Sequence, residues 1–179
     1  PKIAGLMCSA IISDTLLFRS PTCTPFDVEA AKRLAVIAGI ECESYAREMF
    51  AAGSDLQART PEEIFYQDFK QFEFGDWNIG IGQITSMSSE ELGHIKQRLM
   101  PYMEQVFAKH DADMVFFMLT DILSESSELL CYGKGSAELI QEAFGQKVVQ
   151  NSALLPGVVS RKKQLVPSFM AAINRMTMV

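Results

Sequence analysis

An unbroken apolar stretch, Met114 to Thr120, constrains the fold more than any other part of the chain. A strand with apolar side chains on both sides has to be covered on both faces, as in sheets that lie between layers of helices. Helical patterns precede and follow it, at Ser88 to His110 and at Ser136 to Phe144. The sequence therefore predicts an α/β domain with a mixed central sheet flanked by helices.

Shorter strands and one more helix complete this predicted domain. Phenylalanines and isoleucines on either side of Gly75-Asp76 predict a hairpin of two antiparallel strands. Leu129 to Tyr132 and Lys147 to Gln150 are predicted strands. Ser160 to Arg175 is predicted to end the chain as a helix that is interrupted or bent near Pro167.

The first 53 residues are predicted to be helical and to form a separate region. Helices are expected from Lys2 to Leu17, from Pro25 to Ala38 and from about Cys42 to Ala52. Gly39 is expected to end the second of these helices. Residues 54–59 are mostly polar and predict a linker. We therefore expect a helical segment at 1–53 and an α/β domain at 60–179.

The charges of the chain are unevenly distributed, around a net value of −6. Residues 1–142 have a formal charge of −11 and residues 143–179 one of +5, because no Asp or Glu occurs from Ala143 onward. This asymmetry favours a local site for a small anion over a nucleic-acid surface, since a broadly acidic protein repels a polyanion. The alternative is that these cations pair with acids elsewhere in the fold. The chain has no run of 18 apolar residues, so no membrane span is expected.

The basic end includes the run Ser160-Arg161-Lys162-Lys163-Gln164. If Ser160 caps a helix, backbone N–H groups and the positive end of the helix dipole lie where Arg161 and Lys162 reach, which suits phosphate or diphosphate. A solvated basic run is the alternative.

A further lysine, Lys70, alternates with phenylalanines in a predicted strand. One face of this strand is predicted to be apolar and the other to present Lys70 and Gln71. Taken alone, the pattern is that of an ordinary outward-facing lysine.

Metal-binding patterns are sparse. The four cysteines are too far apart for a zinc motif and are expected to be reduced, buried groups in a cytoplasmic protein. The segment from His110 to Asp113 is interpreted as a polar turn before the central strand. Asp14 is the one persuasive ligand, because a carboxylate at the C-terminal end of a helix opposes the dipole and a cation would compensate it. A solvated helix end or a local capping bond is the alternative.

A two-metal site for phosphate chemistry needs about four or more hard ligands. Either the protein is not a metal enzyme, or the other ligands are not on this chain.

Two long strings carry a specific family resemblance. The first is IAGLMCSAIISDTLLFRSPTCT, from Ile3 to Thr24, and the second is LPGVVSRKKQLVP, from Leu155 to Pro167. Segments at Ala35 to Gly39, Thr60 to Glu63 and Thr120 to Leu123 are in register with the same pattern. Over essentially its whole length, the chain resembles the C-terminal part of a manganese-dependent (family II) inorganic pyrophosphatase of the DHH phosphoesterase superfamily.

The resemblance implies that two domains flank a cleft. The first domain carries most ligands for two manganese ions, and the second closes over diphosphate with basic residues. By position, Asp14 matches the last metal ligand, while Lys70, Arg161 and Lys162 match the substrate-binding cations. Residues 1–53 would then be the helical end of the DHH catalytic domain, and residues 60–179 the substrate-binding domain. The parent enzyme would hydrolyse diphosphate to two phosphates.

The chain also departs from the family pattern. It lacks the early histidine-and-aspartate motif and the Asp-His-His motif. We therefore expect these 179 residues alone to bind Mn²⁺ weakly or not at all, and to bind phosphate or diphosphate without turnover. The alternatives are another DHH-family exopolyphosphatase or phosphatase, and a non-catalytic anion-binding or interaction module. A homodimer is expected. The helices from Lys2 to Ala52 are expected to pack against a second copy or another part of the chain, since a large apolar patch is rarely left in water.

Overall fold

Three helices form the first part of the chain: α1 (Lys2–Asp14), α2 (Pro25–Ala38) and α3 (Cys42–Gly53). The computed structural model describes residues 1–53, 56, 58–110 and 112–177, and the chain divides into two units, Pro1–Asp55 and Leu56–Val179. The predicted linker, 54–59, includes residues 54, 55 and 57, which lie outside the described residues. Within the described ranges, no helix is both long and apolar enough to cross a bilayer.

Helix α2 begins and ends where the sequence predicts. The Thr24 hydroxyl accepts a hydrogen bond from the Asp27 N–H at 3.3 Å, and the Asp27 carboxylate accepts one from the Thr24 N–H at 2.8 Å. This reciprocal pair is a capping box. Gly39, at φ 74°, ends the helix in the left-handed conformation that glycine adopts without strain.

Helix α1 ends three residues earlier than predicted. The expectation of a helix to Leu17 is wrong, because Leu16, Leu17 and Phe18 have φ angles of 48°, 52° and 68°. Three successive left-handed residues cannot continue a right-handed helix. Leu17 is buried, and its N–H donates to the Ile12 carbonyl at 2.9 Å, so packing and a backbone bond hold this unusual turn.

The second unit is built on a five-stranded mixed sheet in the order β1-β2-β3-β4-β5. Its strands are β1 (Phe69–Phe74), β2 (Trp77–Ser86), β3 (Met114–Asp121), β4 (Ser126–Tyr132) and β5 (Ser152–Pro156). Strands β2 and β3 are parallel and are connected by helix α5 (Ser89–Lys109), whereas the other neighbours are antiparallel. The predicted α/β class with a mixed sheet is confirmed.

Strand β3 contributes to two cores, one on each face of the sheet. Met114, Phe116 and Met118 belong to the core that also includes residues of α6 (Ser136–Phe144) and α7 (Val166–Thr177). The alternate residues of β3 belong to a second core with α4 (Pro61–Tyr66) and α5. Every residue from Met114 to Thr120 is buried, so the central strand is covered on both faces as predicted.

The strand predicted at Lys147 to Gln150 is wrong. Val149 forms a single bridge with Ser152, and β5 begins at Ser152. Gln150 and Asn151, with φ angles of 49° and 57°, form a tight turn between the two bridge residues. Neither residue is a glycine, so the sequence gives only a weak signal for this turn.

Candidate anion-binding site

Helix α7 is preceded without a break by a π turn, Arg161–Leu165, which Ser160 caps. The Ser160 hydroxyl accepts a hydrogen bond from the Lys163 N–H at 3.2 Å. The Leu165 N–H donates to the Ser160 carbonyl at 3.1 Å, which is the longer spacing of a π turn. Pro167 follows and has no N–H to donate. Ser160 thus caps the helix, the condition on which the anion-site interpretation depends. The departure from α-helical geometry lies at Arg161–Leu165, before Pro167, and α7 continues through Pro167.

Gln164 holds the loop that leads into this helix. Its Oε1 accepts hydrogen bonds from the N–H groups of Val159 and Ser160, at 2.9 and 3.0 Å. Its Nε2 donates to the Gly157 carbonyl at 2.6 Å. One side chain thus satisfies three backbone groups and fixes how the chain enters the π turn.

A buried pair of hydroxyls ties the same loop to the sheet. The Ser127 hydroxyl in β4 donates to the Val158 carbonyl at 2.7 Å. It also lies 2.8 Å from the hydroxyl of Thr120 in β3. Both side chains are almost fully buried, so these bonds form away from water and hold the loop firmly.

Arg161 is 5% exposed, which is unusual for a charged side chain. Its Nη2 donates to Asp68 Oδ1 at 2.6 Å, and its Nη1 donates to the carbonyl oxygens of Asp68 and Ile81 at 2.6 and 3.0 Å. Gln83 Nε2 donates to the other carboxylate oxygen of Asp68 at 2.7 Å. The buried cation is therefore both paired and hydrogen-bonded, as a charge removed from water requires.

Lys70 is connected to Arg161 through one residue of the neighbouring strand. The Cα of Lys70 is paired with that of Ile81 in the β1–β2 register, and the Ile81 carbonyl accepts from Arg161. Directly opposite residues in antiparallel strands have Cα atoms about 5 Å apart. The backbone of Lys70 thus lies close to the Arg161 guanidinium, and its side chain is exposed.

The predicted division of β1 into an apolar face and a Lys70–Gln71 face is wrong. Phe72 and Phe74 pack on the α7 side of the sheet, and Phe69 packs on the other side. Because side chains alternate along a strand, Lys70 shares the α7 side with Phe72 and Phe74. Lys70 is therefore on the side of the sheet where the π turn packs.

Four of the five cations from Ala143 onward divide into two kinds. Arg161 and Arg175 pair with acids, as the alternative interpretation of the charge asymmetry holds. Lys162 and Lys163 are exposed, and their side chains make no hydrogen bond or ion pair within the ranges that the structure describes. Charge available to a ligand therefore remains at the start of the helix.

Asp14 is the last residue of α1, as the helix-end interpretation requires. Its side chain is exposed and makes no hydrogen bond or ion pair among the described residues. The local cap comes instead from Thr15, whose hydroxyl donates to the Ile11 carbonyl at 2.6 Å and accepts from the Phe18 N–H at 3.2 Å.

Metal binding by Asp14 would need further ligands. In the part of the chain that is described, no three His, Cys, Asp or Glu side chains come together as a metal site. These residues do not fit a manganese centre, and we derive no step through a metal.

The segment from His110 to Asp113, which the sequence indicates as a polar turn, includes residue 111, which lies outside the described ranges. The ring of His110 is hydrogen-bonded to the Tyr66 hydroxyl at 2.6 Å, and Asp113 accepts from the Asn78 N–H.

Asp68 and Gln83 are not evident as site residues from the sequence. Asp68 stands two residues before Lys70. This closeness to a candidate anion-binding residue is the one feature of the sequence that could have indicated Asp68 as a site residue. Gln83 is 13 residues beyond Lys70, and its approach to Asp68 depends on the hairpin register.

Comparison with known proteins identifies the family of this chain. Residues 47–172 match the DHHA2 domain family, and the chain belongs to this family. A manganese-dependent inorganic pyrophosphatase of Bacillus subtilis is 45% identical over 166 residues, which are 93% of this chain and 53% of that protein. A cobalt-dependent inorganic pyrophosphatase of Clostridium perfringens is 47% identical over 166 residues, which are 93% of this chain and 30% of that protein.

A solved structure supports the same relationship. The family II inorganic pyrophosphatase of Methanococcus jannaschii is 43% identical and superposes with a TM-score of 0.83, covering 97% of this chain and 56% of that one. The chain spans about half the length of the Bacillus subtilis and Methanococcus jannaschii relatives and corresponds to their C-terminal part. The resemblance in the sequence is thereby confirmed.

Proposed function

We propose that this chain provides the diphosphate-binding part of an inorganic pyrophosphatase, with Lys70, Arg161 and Lys162 as the binding cations. The observation that carries the proposal is the anchoring of Arg161. A nearly buried guanidinium is tied to the β1–β2 hairpin beside Lys70, within the string that resembles the family signature. A purely solvated basic run would not be built into the sheet in this way.

The three cations offer complementary chemistry to a polyanion. A guanidinium presents paired N–H groups in a fixed plane, whereas lysine ammonium groups are point charges on flexible stems. Cations of this kind neutralise bound diphosphate and, more strongly, the charge that develops during phosphoryl transfer. Backbone N–H groups in the first turn after Ser160 add to the same field.

By themselves, these 179 residues would bind diphosphate without hydrolysing it. The relatives are named for manganese or cobalt, and hydrolysis by a two-metal site needs about four or more hard ligands. Asp14 is our candidate for one of them. The remaining ligands belong to the DHH catalytic domain that the resemblance implies. Residues 1–53 would be the helical end of that domain. Residues 60–179 would be the substrate-binding domain that follows it.

Calorimetric titration of the chain with inorganic diphosphate tests the proposal. Lys70→Ala and Lys162→Ala should each weaken binding by about tenfold or more, because each removes a charge-assisted contact. Lys163→Ala is the matched control, since it removes a neighbouring exposed lysine of the same run, and it should change the affinity by about twofold or less. Equal losses for Lys162→Ala and Lys163→Ala, or no saturable binding, would contradict the proposal.

Turnover can be tested in a chimera in which this chain replaces the matching part of the Bacillus subtilis enzyme. With Mn²⁺, the chimera should release phosphate from diphosphate in preference to long polyphosphate, and Lys162→Ala should lower the rate by about 100-fold or more. The chain alone should release none. Strong release by the chain alone, unchanged activity of the Lys162→Ala chimera, or preference for polyphosphate would each contradict the assignment.

We also propose a cytoplasmic homodimer. The free thiols of all four cysteines support a reducing compartment. Large apolar side chains exposed on α1 and α2 support self-association; they are Ile3, Leu6, Met7, Phe26, Val36 and Ile37. The expectation that the chain binds neither nucleic acid nor membranes stays a prediction.

A further inference from the structure

We propose that Asp68 is the positioning residue of the diphosphate site and that it acts through Arg161, with Gln83 holding Asp68 in place. This inference rests on the proposed function, because it concerns how the same site is prepared for its ligand. Asp68 lies in the turn between α4 and β1, and its side chain is 37% exposed, whereas that of Arg161 is 5% exposed.

The hydrogen bonds of Arg161 leave part of its guanidinium unused. A guanidinium has five N–H donors. Two on Nη1 and one on Nη2 are bound to Asp68 and Ile81. The Nε–H and the second Nη2–H form no hydrogen bond within the described residues. The Nε–H and the Nη2–H on the same side of a guanidinium are the pair of donors that can bind two oxygens of a phosphate.

Asp68 determines which pair of donors remains. Its carboxylate and its own carbonyl bind both Nη atoms, so the guanidinium cannot rotate without breaking several bonds. Gln83 prevents the carboxylate from turning away by donating to Oδ2 at 2.7 Å. The arrangement thus fixes the orientation of Arg161 before a ligand arrives, which lowers the cost of ordering on binding.

Electrostatics and positioning predict opposite signs for removal of the Asp68 charge. As a nearby negative charge, Asp68 repels an anion, and Asp68→Asn should then tighten diphosphate binding. As the residue that orients Arg161, Asp68 promotes binding, and Asp68→Asn should weaken it. Asp68→Asn removes one negative charge. If the variant nevertheless binds the anion more weakly, neither simple repulsion by Asp68 nor an inert surface carboxylate can account for the result.

The experiment is calorimetric titration of the full 179-residue chain with inorganic diphosphate, and with inorganic phosphate as the shorter ligand. We expect Asp68→Asn to bind diphosphate about tenfold more weakly than the unaltered chain, and Asp68→Ala to bind it more weakly still. Glu73→Gln is the matched control, because it removes an exposed carboxylate from the strand that follows Asp68, and the affinity of this variant should be unchanged or slightly higher. Unchanged or tighter binding by Asp68→Asn would overturn the inference.

Two further variants decide the matter if Asp68→Asn does not fold. Asp68→Glu keeps the charge but moves it by one methylene, and Gln83→Met removes only the donor to Oδ2. Both should weaken diphosphate binding by about threefold or more while circular dichroism shows a folded chain, and full affinity in both would overturn the inference. Lys162→Ala distinguishes failure of the proposed function from failure of this inference. If Lys162→Ala binds diphosphate as well as the unaltered chain, the site itself is wrong. If Lys162→Ala loses affinity and the Asp68 variants do not, only the positioning role of Asp68 is rejected.

Discussion

Asp68 and Arg161 form a 2.6 Å ion pair between residues 93 positions apart in the chain, with the arginine almost completely removed from water. Removing one partner of such a pair leaves the other without compensation. The loss of stability from such a removal is smaller here, because Asp68 is partly exposed and water can solvate its charge.

The first prediction concerns stability. Arg161→Met should lower the free energy of unfolding by about 2 to 4 kcal/mol, because Asp68 and two backbone carbonyls lose their donors. Lys162→Met, one residue away and exposed, should change it by about 0.5 kcal/mol or less. Urea unfolding followed by circular dichroism measures both. Equal stability of the two variants would show that the ion pair does not hold the π turn on the sheet.

A second prediction concerns the hydroxyl that fixes the loop before Ser160. Ser127→Ala leaves the buried Val158 carbonyl without its donor and should cost about 1 to 3 kcal/mol of unfolding free energy. Ser126→Ala is the control, since the Ser126 hydroxyl is paired with that of Ser124 at the surface. Thermal unfolding in parallel samples should separate the two variants, and the account of the loop anchor is wrong if their midpoints coincide.

The thiols provide a third prediction. Burial, and secondarily the neighbouring Cys42, raise the pKa of the Cys8 thiol to about 11 from an ordinary value of 9.0. Burial also raises the pKa of Cys131. Cys23 and Cys42 are only half-buried, so the expectation that all four cysteines are buried is wrong for these two. At pH 8, Ellman's reagent should therefore modify two thiols quickly and two slowly.

The same shift fixes the sign of a pH effect. A thiol with a raised folded pKa stabilises the folded chain below pH 9, and this contribution is lost as the pH rises through about 11. The stability difference between the unaltered chain and Cys8→Ala should therefore shrink between pH 9 and 11. A difference that grows over this interval, or four thiols of equal reactivity at pH 8, would contradict the burial of Cys8.

The exposed apolar side chains of α1 lead to a fourth prediction. Leu6 is 72% exposed, and Ile3 and Met7 on the same helix are also exposed. Leu6→Glu should convert a dimer into a monomer, because a charge cannot be buried in an apolar contact without compensation. Light scattering coupled to gel filtration measures the mass. A clean monomer of the unaltered chain at high concentration would reject self-association.

Features that depend on neighbouring residues could be predicted from the sequence. Thr60 and Glu63 form a capping box, which a Thr followed three residues later by a Glu indicates. The Glu63 carboxylate accepts from the Thr60 N–H at 2.7 Å, and this bond lowers the pKa of Glu63. The apolar run from Met114 to Thr120 likewise indicates its two-sided burial without reference to the rest of the chain. Such signals are contained within one turn or one strand.

Features that depend on distant residues or on unusual backbone angles could not be predicted. The left-handed turn from Leu16 to Phe18 consists of apolar residues with no glycine, so its sequence favours a continuing helix. The pairing of Asp68 with Arg161 requires the register of the hairpin and the position of the π turn together. At the candidate site, the sequence therefore indicates candidate cations by residue type and position, whereas the acid that is paired with one of them is not evident from the sequence.

Nuclear magnetic resonance on this 19.9 kDa chain can test whether Lys70, Arg161 and Lys162 bind one diphosphate together. Amide shifts would be followed while inorganic diphosphate is added. We predict that the amides of Lys70, Ile81 and residues 160–163 shift together along one binding curve. Separate curves for β1 and for the π turn, or shifts confined to other parts of the chain, would contradict it.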